Sequence, residues 1–86
     1  MNPPWTMQLA SDVVRDGLGL ELLGEQRRVA AEVFRCDADL TVAIRLFVDG
    51  IPDDVLEELL RHARERLDPF EDGTPLPADF GMERVV

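Results

Sequence analysis

The sequence predicts an α+β domain: a small antiparallel sheet of about three strands in a meander, with one helix from the C-terminal half packed on one face. Three observations carry this. Leu40, Val42, Ile44, Leu46 and Val48 recur at every second position, the period of a strand with one buried face. Val55, Leu56, Leu59, Leu60, Ala63 and Leu67 recur at helical spacing between Pro52 and Pro69, with a start and a stop in the right places. Gly24-Glu25-Gln26-Arg27 and Asp37-Ala38-Asp39 are short polar joints between apolar runs, and short joints favour antiparallel neighbours.

Taken in order, Met1–Pro4 reads as a frayed lead. Trp5–Val14 reads as extended, leading into the next strand, with a helical reading left open by Thr6 as a cap and Gly17 beyond the end. Leu18, Leu20 and Leu22 alternate, and Gly19 on the opposite side suggests a bulge or a close neighbour. In Arg28–Cys36, Val29, Ala31 and Val33 face one way, while Ala30, Glu32, Phe34 and Cys36 face the other. Both faces are partly apolar, as in a central strand covered on both sides. Asp53 and Asp54 suit the positive end of the helix dipole, Asp54 and Glu57 have capping-box spacing, and Glu57 is placed to pair with Arg61. Residues 70–86 read as an irregular tail whose Phe70, Leu76 and Phe80 can fold back over the domain.

Eighty-six residues are enough for one domain, 1–86, and its core is small. The formal charge of −9 repels phosphate, which argues against nucleic-acid and anionic-membrane partners. A single cysteine, Cys36, rules out an internal disulfide. With no signal-peptide pattern and no long apolar run, a cytoplasmic protein is expected.

Few residues suggest chemistry. Asp37-Ala38-Asp39 is turn chemistry before it is a metal site, and Asp53, Asp54, Glu57 and Glu58 answer the helix dipole before they hold a cation. His62 has Glu58 one turn earlier, which describes an ordinary surface pair as well as an oriented base. Cys36 beside Asp37 has no activating neighbour in the sequence and reads as a small hydrophobe. No catalytic residue, cofactor or metal ligand is therefore expected. The second sheet face, holding Phe47, Ala43 and Leu23, is too apolar to be left wholly in water. The Trp5 segment, the tail or a second copy of the chain could cover it, and a homodimer could form through this face or a sheet edge. Phe47, Arg45, Leu23 and Phe34 are the partner-binding candidates.

Arg15-Asp16-Gly17-Leu18-Gly19-Leu20-Glu21-Leu22, Ala31-Glu32-Val33-Phe34-Arg35 and Pro69-Phe70-Glu71-Asp72-Gly73 resemble phrases of small uncharacterised bacterial proteins. The resemblance implies a free-standing cytosolic domain and brings no activity with it. The expected function is a non-enzymatic protein-interaction module. The alternatives are an antitoxin- or immunity-type inhibitor of a basic protein, and a small-ligand binder or minor enzyme using His62.

Overall fold

The structure, a computed structural model, describes residues 2–84. Its strands are β1 (Thr6–Asp12), β2 (Gly17–Leu23), β3 (Val29–Cys36), β4 (Thr41–Leu46) and β5 (Gly81–Arg84), and its helix is α1 (Asp53–Leu67). The five strands form one sheet in the order β1-β2-β3-β4-β5. The first four run antiparallel to their neighbours, and β5 returns parallel to β4 after the helix. The fold class is α+β, but the sheet is mixed and has five strands, two more than the sequence suggested.

The two extra strands have different origins. β1 forms because Met7, Leu9 and Ser11 lie opposite Leu22, Leu20 and Leu18 in an unbroken antiparallel register, so the extended reading of the Trp5 segment is the right one. The segment 81–84 has no strand pattern of its own and is delivered by contacts made earlier in the tail. Arg64 on α1 donates from Nη1 to the Pro77 carbonyl at 3.1 Å and from Nη2 to the Ala78 carbonyl. Its guanidinium also lies over the Phe80 ring at 4.2 Å. Those contacts aim the chain at the outer edge of β4. Residues 70–80 hold no helix or strand, as the irregular reading has it, and only Gly81–Arg84 departs from it. Phe70 is buried in the core, and Leu76 and Phe80 pack against it, the fold-back the sequence suggested. In the lead, the Trp5 amide donates to the Asn2 carbonyl at 3.2 Å.

Leu20, Leu22, Val33, Val42, Ile44 and Leu46 on one face of the sheet meet Val55, Leu59, Ala63 and Leu67 of α1. The alternating run is shorter than its pattern. The β3–β4 ladder begins at Cys36 and Thr41. Leu40 lies in the turn at φ 58° and Val48 lies beyond the strand, and both are exposed. Three of the five branched side chains in the run therefore fill the core. Burying each is worth about 1.5–3 kcal/mol as an upper figure.

Simple alternation also fails in β3. Leu22 pairs with Ala31 and Leu23 with Val29, leaving Ala30 as the extra residue of a β-bulge. The bulge moves Val29 to the face away from the helix and lets Ala30 join the core. At the helix start the capping box does not form, because Pro52 occupies the cap position and no side chain caps it. Arg61 pairs with Glu58 at 2.7 Å and Glu65 at 3.7 Å rather than with Glu57.

The β2–β3 joint is a hairpin turn in which Gln26 and Arg27 both have φ of 56° and the Arg28 amide donates to the Glu25 carbonyl at 3.2 Å. Positive φ at both central residues is the requirement of a type I′ turn, which Asn-Gly satisfies without strain. Arg27→Gly should therefore raise the thermal midpoint. The relief of left-handed strain exceeds the entropy added to the unfolded chain by about 0.5–1 kcal/mol, or about 2–8 °C for a domain of this size. Arg27→Ala should give no such gain in the same melting experiment, because alanine keeps the Cβ.

Candidate functional site

The face of the sheet away from α1 is built around an arginine that bridges strands. Asp12 ends β1, and its Oδ1 accepts from the Val14 and Arg15 amides, both at 3.0 Å. This local turn places Arg15 above the sheet, with its Nε 2.6 Å from Asp12 Oδ2. Its two terminal nitrogens then donate to both oxygens of Glu32 at 2.9 and 2.8 Å. The guanidinium also lies 3.9 Å from the centre of the Phe34 ring. Donation from the Arg15 amide, followed by that from its guanidinium, holds the Asp12 carboxyl below the usual carboxylate range. The bonds to Glu32 and then to Asp12 push Arg15 upward, so it stays charged.

Phe34 can lie flat there because β2 supplies no side chain beneath it. A Cβ on Gly17 would stand 2.5 Å from the Phe34 ring and 2.1 Å from the Arg35 carbonyl oxygen, and one on Gly19 would be 3.1 Å from a Glu32 oxygen. Gly19 thus marks a close neighbour, as its place in the strand suggested. Phe34 and Leu23 are both buried within the chain, so these two partner candidates are already covered by their own fold.

The other two candidates lie side by side. Arg45 and Phe47 line a shallow depression with Val29, Glu21, Glu32 and Arg15. Arg45 is less fully satisfied than Arg15. It lies 3.8 Å from a Glu83 carboxylate oxygen, its guanidinium is 5.8 Å from the Phe47 ring, and its buried Nε has no hydrogen-bond partner among the described residues. A buried donor without an acceptor is costly. The rest of the side chain is 35% exposed, so a carbonyl or carboxylate brought into the depression can meet its terminal nitrogens.

The remaining sequence candidates have work inside the fold. Asp37 is more than turn chemistry. It pairs with Arg35 at 3.1 Å and accepts from the Glu71 amide at 2.9 Å. Arg35 in turn donates to the Leu67 and Pro69 carbonyls at the end of α1. Asp39 accepts from the Thr41 hydroxyl at 2.6 Å. Cys36 is half-buried, with Sγ 3.5 Å from the Arg15 carbonyl oxygen. His62 Nε2 is 3.4 Å from Glu58 and shares a small hollow with Met7, Leu20 and Arg66. Arg45 is on the opposite face of the sheet and cannot join it. Among the described residues no group of three or more His, Cys, Asp or Glu side chains is placed to hold a metal ion, and no helix is long and apolar enough to cross a membrane.

Comparison with protein-family models, with curated proteins and with solved structures gives no match to this chain.

Proposed function

We propose that this chain is a non-enzymatic protein-interaction module that docks a partner through the Arg45–Phe47 depression. The observation that supports it is the Arg45 guanidinium, on a side chain 35% exposed and held among the described residues only by a long ion pair to Glu83 at 3.8 Å, beside an aromatic ring and Val29 on an otherwise well-paired sheet face. The partner supplies a carbonyl or carboxylate to Arg45 and an apolar side chain to Phe47. Arginine and aromatic residues in such a setting are the usual anchors of an interface.

Charge suggests the rest of the partner. Arg15, Arg35, Arg61 and Arg64 are engaged within the chain, while Asp53, Asp54, Glu57 and Asp72 are exposed. A chain of net charge −9, with four of its nine arginines so engaged, attracts a basic protein at long range, and salt weakens that attraction. The reading tests directly. The immobilised chain should retain a protein from host extract at low salt and release it at high salt. Arg45→Ala and Phe47→Ser, with unchanged circular dichroism, should each weaken retention about tenfold or more, the size of an anchor truncation. Retention that ignores both substitutions would remove the depression from the reading.

A further inference from the structure

We infer that the outer edge of β1 pairs with the same edge of a second copy, in the antiparallel register centred on Leu9. β1 ends the sheet, and among the described residues no strand lies along its outer side. It presents seven residues of regular backbone, with no bulge against β2 and no proline, lysine or arginine in Thr6–Asp12. Those are usual devices that keep an edge from pairing, and the one charge that β1 carries is Asp12 at its last position. The opposite edge differs: β5 is a short strand of four residues that includes Glu83 and Arg84.

The register follows from using the whole strand. A two-fold axis through Leu9 sets Thr6 against Asp12, Met7 against Ser11, Gln8 against Ala10, and Leu9 against itself. No pair opposes like charges. Leu9 is 44% exposed, and it gains an apolar neighbour where it now has water. Continued past the strand, the same register brings Val13 level with Trp5 of the second copy. Val13 and Val14 are each 92% exposed at the tip of the β1–β2 turn. Trp5 is half-buried. An exposed apolar tip and an aromatic residue are thus set level with each other, twice over, by the symmetry that pairs the strands.

Charge favours this edge over any other approach between copies. The chain carries −9, so two copies repel. The one ionisable side chain of β1 is Asp12 at its end, and Arg15, which it shares with Glu32, offsets part of its charge at 2.6 Å. The edge is therefore a weakly charged strip on an acidic molecule. Self-pairing should tighten as salt rises, opposite to the salt dependence of the basic partner proposed above. It uses the edge of the sheet and not the depression, so either reading can fail without the other.

Sedimentation of the full chain from about 1 µM to 1 mM, the span of weak to moderate affinities, should show a reversible dimer that is stronger at high salt. Leu9→Lys sets two cations face to face on the axis and should return the monomer mass with unchanged circular dichroism. Register is read by cross-linking in a Cys36→Ser chain. Leu9→Cys should form an intermolecular disulfide readily, and Ser11→Cys at least about tenfold less, because its Cα would face Met7 rather than its own copy. A monomer throughout, a dimer that survives Leu9→Lys, or equal cross-linking from both positions would each overturn the inference.

Discussion

Ile44→Asp should unfold the domain at room temperature, and Arg45→Asp should not. The two residues are neighbours on β4 and differ only in the face they use. Ile44 is buried beneath α1, with Val33 beside it on β3 and Met82 on β5. An aspartate there loses about 1.5–3 kcal/mol of apolar burial. It must also desolvate a carboxylate without a partner, or stay protonated, at a further cost of several kcal/mol. A chain of this length has about 4–13 kcal/mol of stability in all. At Arg45 the new carboxylate faces Glu32 and Glu83, and the like charge beside buried Glu32 destabilises. But Glu32 keeps both bonds from Arg15, position 45 is partly open to water, and the buried Nε is removed, so the loss stays well below that at Ile44. Thermal melts followed by circular dichroism decide it. Equal midpoints for the two variants would mean that the sheet buries the other face.

The second large effect concerns the bridge over Phe34. Arg15→Ala leaves Glu32, only 4% exposed, without its bidentate partner. Breaking a buried ion pair from one side costs about 3–5 kcal/mol, and the 39% exposure of the Arg15 side chain puts this case at the lower end. Replacing both partners together should be much milder, because Arg15→Met with Glu32→Leu removes the stranded charge along with the bridge. Chemical denaturation of the parent, Arg15→Met, Glu32→Leu and the double variant gives the coupling directly, with Arg15→Ala measured beside them. A double variant as unstable as Arg15→Ala would show that the loss comes from uncovering Phe34 and not from the orphaned carboxylate.

The parts of this fold legible in the sequence are those whose pattern is local. The stripe of α1 and the alternation of Val42, Ile44 and Leu46 need no knowledge of the rest of the chain. Leu40 and Val48 misled because the pattern outruns the ladder, and only the pairing of Cys36 with Thr41 shows where β4 begins. Ala30 could not be recognised as a bulge, since alternation in β3 reads equally well with Val29 on either face. β5 was hidden for another reason. It is positioned by Arg64 acting on the tail, a contact between residues 13 and 14 apart in sequence. Of the four partner candidates, Arg45 and Phe47 line the depression, whereas Leu23 and Phe34 are used internally. The role of Arg15 went unread, although one signal was present. Gly19 lies directly opposite Phe34, with Gly17 on the same face one pair along, and an aromatic side chain across from glycine in a sheet is a known way of filling the gap.

The parallel return of β5 closes an edge. Without residues 81–84 the β4 backbone would end the sheet unpaired, beside Ile44 and Leu46. A row of open backbone groups over branched side chains is a template for other chains, and the short Arg64-guided tail caps it.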